Sequence, residues 1–330
     1  MNMNENQIRK QSEVAYKQWA KQWREHCLEH SKVPKKSFED FRDVGMGRAI
    51  LCIANGYSFE ENIELIKQHN KNVDVMCCDK ALGHLLDHGI KPTYVVVCDA
   101  NVDYKRYLEP WKDQLNESIL FINACANPKW TFGANWKEIY TFVNKDIIQS
   151  EKEFSELSGC KNVIIAGTNV SNAMLILLTQ CENNNRQNFF GYDKYILLGY
   201  DYSWKYGGKY YAFNEDGDGK DLYMRHLHMY ANDGTPLYTS GNLWFSKNWI
   251  ENYIKTFNLP VIQTAQHSVL QFGPTKDLAY QLQYSGAKDS GKVYKLLRAE
   301  RTRGIEVLKK IDYTINEIQK KQRLNFLQSI

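Results

Sequence analysis

Residues 48–100 read RAILCIANGYSFEENIELIKQHNKNVDVMCCDKALGHLLDHGIKPTYVVVCDA. In this stretch, two polar segments of helical length separate three short apolar runs. The runs are RAILCIA (48–54), VDVMCC (73–78) and TYVVVCDA (93–100). Such runs, separated by helix-length polar segments, are typical of strands that are buried on both faces of a parallel sheet. We expect each strand–helix–strand crossover to be right-handed.

The same alternation continues along the chain. SILFINA (118–124), NVIIAGTN (162–169), KYILLGYD (194–201) and NLPVIQTA (258–265) are predicted to be further strands, and VSNAMLILLTQ (170–180) is predicted to be a helix. The sequence therefore predicts an α/β protein built on a Rossmann-like three-layer parallel sheet.

The N-terminal part of the chain predicts a helical extension. Residues 5–30 are polar, with Tyr16, Trp19 and Trp23 on one side at helical spacing. This side is either a docking face for the adjacent domain or a surface for a partner.

The C-terminal part predicts a second helical extension. Leu308, Ile311, Ile315 and Ile318 follow a 3-4-3 spacing and form a narrow apolar seam. The seam either packs on its own domain or forms a homo-oligomer contact. We expect an N-terminal extension, a nucleotide-binding catalytic domain and a C-terminal segment: residues 1–45, 46–270 and 271–330.

Composition narrows the class of protein. The 330 residues are 43% hydrophobic, and the net charge of +4 is too small for a protein that coats nucleic acid. The eight Cys form no CxxC pair, which indicates buried free thiols and a reducing compartment. With no signal peptide or membrane span recognisable in the sequence, we expect a cytoplasmic protein without a tightly bound cofactor.

Candidate ligand residues follow the predicted strands, because open α/β sheets bind ligands beyond the carboxyl ends of their strands. Any one of these residues can be an ordinary turn or a helix cap. Their recurrence along one edge predicts a nucleotide site. They are Asn55, Gly56, Ser58, Asp79, Asp99, Asn101, Asn123, Gly167, Thr168, Asn169, Tyr200 and Asp201.

The absence of common catalytic motifs argues against several enzyme classes. The sequence has no GxxxxGK[ST], GxGxxG, GxSxG or HExxH, which argues against P-loop kinases, common dinucleotide enzymes, α/β-hydrolases and zincins. DGDG at 216–219 lacks the spacing and the closing Glu of a calcium loop. We expect a turn there.

An aromatic, glycine-rich stretch, SWKYGGKYYAFNEDGDGKD (203–221), predicts an ordered active-site loop or lid. His226 and His228 follow it closely in the sequence. A histidine can act as general base toward an acceptor hydroxyl, so both are candidate catalytic residues.

Four segments together resemble the MptE-like family, which includes archaeal 6-hydroxymethylpterin pyrophosphokinases and the motility accessory factors that glycosylate flagellin in bacteria. The segments are ILCIANGYSFEENIELI (50–66), CCDKALGHLLDHGIKPTYVVVCDA (77–100), GTNVSNAMLILL (167–178) and YILLGYDYSW (195–204). The resemblance spans about residues 46–215 and implies a nucleotide-binding transferase.

The same elements are similar to bacterial sialyltransferases that use a CMP-sugar donor. Their first turn reads Gly-Asn-Gly-Pro-Ser, and residues 54–58 keep its Asn, Gly and Ser. Their Tyr-Ala-Phe triplet matches residues 211–213, which implies that Tyr211 contacts the donor phosphate. Residues 238–242 contain no counterpart of their general-base His, so His228 is the substitute that we consider.

Three functions follow as hypotheses. In a glycosyltransferase, a CMP-nonulosonate or another nucleotide-sugar would bind at Asn55, Ser58, Asn123 and Thr168, with Tyr211, Asp201 and either His226 or His228 as catalytic residues. In an ATP-dependent pyrophosphokinase, Asp99 and Asp201 would hold Mg²⁺. A non-catalytic nucleotide-binding or scaffolding module is the third. The acceptor remains open.

Overall fold

The computed structural model describes residues 5–146, 148–165, 167–180, 189–205, 211–214, 227–265 and 267–283. Its strands are β1 (Ala49–Ile53), β2 (Asp74–Cys78), β3 (Tyr94–Val97), β4 (Ile119–Asn123), β5 (Glu138–Lys145), β6 (Val163–Ile165), β7 (Lys194–Leu198), β8 (Trp204–Lys205), β9 (Leu227–Tyr230), β10 (Pro236–Thr239) and β11 (Val261–Gln263). Within these ranges, eight parallel strands form one sheet in the order β11-β7-β1-β2-β3-β4-β5-β6. The predicted Rossmann-like α/β fold is therefore confirmed.

Helices cover both faces of this sheet. They are α1 (Glu5–His30), α2 (Tyr57–Glu61), α3 (Ile63–His69), α4 (Asp79–Asp87), α5 (Tyr104–Tyr107), α6 (Lys129–Phe132), α7 (Glu151–Ser158), α8 (Val170–Thr179), α9 (Gly241–Phe257) and α10 (Leu278–Gln283). None of the helices in the described ranges is long and apolar enough to cross a membrane.

Continuous apolar sequence explains the central strands. β1 and β2 are buried along their whole length, as their runs of apolar residues predict. β5 was not predicted, because its sequence EIYTFVNK mixes polar and apolar residues and its two ends are partly exposed. The small antiparallel sheet β8-β10-β9 was also not predicted.

The direction of the strand order reverses between β1 and β7. From β1 to β6 each new strand is added on the same side, and α8 then carries the chain back to β7 on the other side of β1. α8 is apolar around most of its circumference and is buried along nearly its whole length. Helix α9 covers it, with hydrogen bonds from Asn172 Nδ2 to the Ser246 carbonyl (3.1 Å) and between the Thr179 and Tyr253 hydroxyls (2.8 Å).

The N-terminal helix α1 packs on α7 through Tyr16 and Trp23, which agrees with the first of the two alternatives that the sequence left open. Both rings pack on Phe154 of α7, with centroids 6.2 and 6.0 Å away. His30, at the end of α1, is fully buried, and its imidazole bonds to the Ala124 carbonyl and the Thr131 hydroxyl. The docking face therefore belongs to this chain.

The predicted C-terminal seam of Leu308, Ile311, Ile315 and Ile318 lies outside the described residues, and the predicted domain boundaries stay predictions. The described cysteines are free thiols, most of them buried.

Asp74, at the start of β2, binds the side chains of Arg48 and Tyr192. Its substitution tests how much these contacts stabilise the fold. Its carboxylate pairs with Arg48 at 2.5 Å and accepts a hydrogen bond from the Tyr192 hydroxyl at 2.6 Å. Asp74→Ala leaves a largely buried guanidinium unpaired, so we expect it to lower the free energy of unfolding by about 3–5 kcal/mol in urea titrations. Glu117→Ala, which breaks an exposed pair with Lys91, should cost less than about 1 kcal/mol. Equal losses would contradict the prediction.

Candidate functional site

A cleft of about 820 Å³ opens at the carboxyl edge of the parallel sheet. The turns that follow β1, β2, β3, β6 and β7 contribute lining residues, as do Asn144 at the end of β5 and the start of α9. The cleft therefore includes the point where the strand order reverses, which is where open α/β sheets bind ligands.

Two glycines let the turns after β1 and β7 touch backbone to backbone. The Gly56 N–H donates to the Gly199 carbonyl at 3.0 Å. A Cβ on Gly56 would lie 2.4 Å from that carbonyl oxygen, and one on Gly199 would lie 2.0 Å from the Ala54 carbonyl oxygen. Gly199 also has a φ of 73°, which favours glycine. No larger residue fits either position without moving the turn.

Ser58 and Asp201 stabilise the contact between Gly56 and Gly199 through hydrogen bonds. The Ser58 N–H donates to Asp201 Oδ2 at 2.8 Å, and the Ser58 hydroxyl accepts from the Gly199 N–H at 2.9 Å. Asp201 is 1% exposed, and its Oδ1 has no hydrogen-bond partner in the part of the chain that the structure describes. Burial raises the pKa of Asp201 well above its ordinary value, to about 7, although hydrogen bonds from Ser58 oppose the shift.

The N-terminus of α8 opens into the cleft. Asn169 caps the helix, with its Oδ1 accepting from the Asn172 N–H at 2.9 Å. Gly167, Thr168 and Asn169 all line the cleft. The first N–H groups of a helix and the positive end of its dipole favour an anion.

A buried hydrogen-bond network holds this helix start in place. Asn172 is fully buried and donates from Nδ2 to the Thr168 hydroxyl at 2.9 Å. Its Oδ1 accepts from the Tyr202 hydroxyl, and the Tyr200 hydroxyl donates to the Ser171 carbonyl at 2.8 Å. The residues after β7 therefore position the residues that begin α8.

Segment 211–213 lies against the turn after β1 and against α4. The Ala212 N–H donates to the Asn55 carbonyl at 3.0 Å, and the Phe213 N–H donates to Glu60 Oε2 at 2.8 Å. The Phe213 ring stacks on His84, with centroids 4.0 Å apart. These contacts place Tyr211 in the lining of the cleft. Residues 206–210 and 215–221 of the predicted lid, which include all of DGDG, lie outside the described residues.

Most of the residues predicted from strand ends meet in this cleft. Those that line it are Asn55, Gly56, Asp79, Asp99, Asn101, Gly167, Thr168, Asn169, Tyr200, Asp201 and Tyr211. Ser58 and Asn123 do not line it. Ser58 binds Gly199 and Asp201 instead, and Asn123 Oδ1 accepts from the Cys125 N–H at 2.8 Å.

Of the two predicted general bases, His228 is described by the structure, and it does not line the cleft. It is exposed on β9, where its ring contacts Tyr238 at a centroid distance of 4.7 Å. His226 lies outside the described residues.

Lys80, Arg106 and Asn144 are among the lining residues that the sequence analysis did not include as site residues. Lys80 directly follows Asp79, and Arg106 belongs to the short helix α5. Asn144 is the penultimate residue of β5, so it was missed because that strand was missed. Its Oδ1 is buried without a hydrogen-bond partner among the described residues.

Asp99 and Asp201 do not fit the Mg²⁺ site considered for a kinase. A Mg²⁺ ion requires accessible, ionised carboxylate oxygens. Asp201 is buried, with a pKa of about 7 and one oxygen bonded to the Ser58 N–H, while Asp99 Oδ1 accepts from the Asn101 N–H at 2.8 Å. Within the described ranges, no group of three or more Asp, Glu, His or Cys residues is arranged for a metal ion.

The raised pKa of Asp201 predicts a pH-dependent stability. Because the folded state ionises this carboxyl near pH 7 and the unfolded chain does so at lower pH, stability is lost as pH rises toward 7. Between pH 5 and pH 8, wild type should lose about 3 kcal/mol of unfolding free energy relative to Asp201→Asn, taking about 1.4 kcal/mol per pKa unit. Urea titrations across this range measure it, with the exposed Asp113→Asn as control. Parallel profiles for wild type and Asp201→Asn would contradict the prediction.

Comparison with known proteins agrees with the resemblance predicted from sequence. The family model described as 6-hydroxymethylpterin diphosphokinase MptE-like matches residues 24–207, more than half of the chain. No curated protein matches significantly. The solved structure of the MAf glycosyltransferase from Magnetospirillum magneticum AMB-1 has the same fold, with a TM-score of 0.54 and 12% identity. The match covers 85% of this chain but 42% of that one, so this chain spans less than half of its length. The chain belongs to the MptE-like family.

Proposed function

We propose that the protein is a transferase that uses a nucleotide-activated donor, and that the donor is a nucleotide-sugar. The observation that carries this proposal is the cleft at the strand-order reversal, into which the Gly56 turn and the N-terminus of α8 both open. The family match and the glycosyltransferase fold of the structural neighbour support it.

The donor phosphate would bind at the start of α8. The N–H groups of the first turn after Asn169 offer hydrogen bonds there, and Gly167 leaves the helix start without a side chain that would meet the Ala173 N–H. Asn144 Oδ1, which has no hydrogen-bond partner in the part of the chain that the structure describes, offers an acceptor to a donor group of the ligand, such as the exocyclic amine of a cytosine or adenine base. We therefore favour an amino-substituted base.

In the transfer step, the acceptor oxygen forms a bond to the anomeric carbon of the sugar while the bond from that carbon to the phosphate oxygen breaks. The nucleotide leaves with the electron pair, and the α8 N-terminus and the Tyr211 hydroxyl stabilise its growing charge. The acceptor proton passes to a carboxylate. Asp99 and Asp103 are exposed lining residues that suit this role.

A diphosphokinase is the second candidate, and the description of the matching family favours it. ATP would occupy the same cleft. The burial of Asp201 speaks against the Mg²⁺ pair proposed from sequence, so Asp99 and the phosphates of ATP would have to hold the metal without it.

A ligand panel separates these functions. A ligand that binds only the folded protein at 100 times its Kd stabilises it by about 2.7 kcal/mol. We expect thermal unfolding to shift upward with CMP, CDP or nucleotide-sugars. A shift with ATP, Mg²⁺ and a hydroxymethylpterin but not with CMP or any nucleotide-sugar would overturn the proposal in favour of a diphosphokinase. Binding of a nucleotide-sugar without any hydrolysis or transfer would indicate a non-catalytic module.

Tyr211 tests the transfer step. Tyr211→Phe removes one hydroxyl that stabilises the departing phosphate, so we expect the rate of nucleotide release from the donor sugar to fall about 100-fold. The melting temperature should change little. Tyr230→Phe removes a hydroxyl from an exposed residue outside the cleft and should retain full activity. Equal rates for both variants would exclude Tyr211 from the reaction.

A further inference from the structure

The side chain of Asn172, in the first turn of α8, has an amide orientation that its neighbours fix. Asn172 is fully buried, and its Nδ2 donates to the Ser246 carbonyl of α9 at 3.1 Å. A carbonyl oxygen can only accept, so the amide nitrogen must be the atom that faces it. The amide oxygen accepts from the Tyr202 hydroxyl. Contacts from α9 and from the turn after β7 therefore both determine the position of the nitrogen.

This orientation determines what the Thr168 hydroxyl can do. Asn172 Nδ2 donates its second proton to Thr168 Oγ1 at 2.9 Å. An amide N–H cannot accept a hydrogen bond, so the hydroxyl accepts here, and its own proton is left for another acceptor. Among the residues that the structure describes, none accepts that proton. Thr168 is exposed and lines the cleft, so a ligand can accept it.

The cap residue Asn169 is oriented by its neighbours in the same way. Its Oδ1 accepts from the Asn172 N–H at 2.9 Å and from the Ser171 hydroxyl at 2.8 Å. A backbone N–H can only donate, so the oxygen of Asn169 is bound to the helix and its amide nitrogen keeps both protons for other partners. Asn169 also lines the cleft. Both side chains that precede α8 therefore offer hydrogen-bond donors.

A phosphate oxygen of the donor is the ligand atom that fits these side chains. An ionised oxygen accepts hydrogen bonds without donating any, and a bond from a hydroxyl to it is stronger than a bond to a neutral acceptor. The N–H groups of the first turn and the helix dipole act in the same direction. A ligand group that carries its own proton would gain less at this place.

We propose that Asn172 is a positioning residue, which through its bond to Thr168 makes the Thr168 hydroxyl a hydrogen-bond donor to an anionic oxygen of the donor phosphate. This inference rests on the proposed function, because that function places the phosphate at the start of α8. Asn172 itself does not touch the ligand. Its buried amide sets the direction of the one hydrogen bond that Thr168 gives.

Substitutions at Thr168 test the bond to the phosphate by isothermal titration. The probes are CMP and AMP, each paired with its nucleoside, which lacks the phosphate. Thr168→Val removes the hydroxyl at nearly constant volume, so the nucleotide should bind about 10-fold more weakly and the nucleoside less than about 2-fold more weakly. Thr168→Ser keeps the hydroxyl and should bind the nucleotide as wild type does. Thr235→Val, outside the cleft lining, is the matched control.

A double-mutant cycle tests the role of Asn172. Asn172→Asp keeps the shape but cannot donate to Thr168, so the hydroxyl should turn and donate to the new carboxylate instead of the phosphate. The factor by which Asn172→Asp weakens CMP binding should be at least about 5 times larger with Thr168 than with Thr168→Val, which has no hydroxyl to turn. Repulsion between the new charge and the phosphate occurs in both backgrounds and cancels. Should Asn172→Asp not fold, Asn172→Ala removes the same donor without a charge and should act in the same direction.

The outcomes separate this inference from the proposed function. Equal weakening by the Asn172 variant in both backgrounds overturns the positioning role while nucleotide binding stands. Unchanged binding of the nucleotide by Thr168→Val, or equal weakening of nucleotide and nucleoside, overturns it as well. Failure of the wild-type protein to bind any nucleotide or nucleotide-sugar removes the proposed function together with this inference.

Discussion

The close contact between Gly56 and Gly199 is the constraint on which the site depends. Backbone atoms of the turns after β1 and β7 meet there with no room for a side chain on either residue. The two strands are neighbours in space but are separated by nearly the whole sheet in sequence. Their contact therefore forms only when α8 has carried the chain back across the sheet, so the cleft is a product of the complete topology.

Buried hydrogen bonds connect the residues of this contact with the start of α8. Ser58 binds both Gly199 and Asp201, and Asn172 links Tyr202 with Thr168. A buried amide or hydroxyl that loses its partner destabilises the fold, which makes such a network specific for one arrangement. These hydrogen bonds therefore favour one arrangement of the residues that form the cleft wall.

The geometry is compatible with both proposed functions, a glycosyltransferase and a diphosphokinase. Both reactions break a bond at a nucleotide phosphate, and both gain from a helix N-terminus that stabilises the departing charge. Lys80 and Arg106 line the same cleft, and the buried Asp201 accepts a hydrogen bond from the Ser58 N–H.

The sequence alone determined the parallel sheet, the helix at 170–180 and several of the cleft-lining residues, because continuous apolar runs identify buried strands and parallel strands place their carboxyl ends on one edge. It did not reveal β5, and with it Asn144, because a strand with partly exposed ends has no continuous apolar run. Local sequence also assigned Ser58 and Asn123 to a ligand, since it cannot show that their hydrogen bonds are satisfied within the fold. Only the tertiary structure decided that Asp201 is buried, that His228 lies away from the cleft and that Arg106 reaches it, because burial and proximity depend on contacts between residues far apart in the chain.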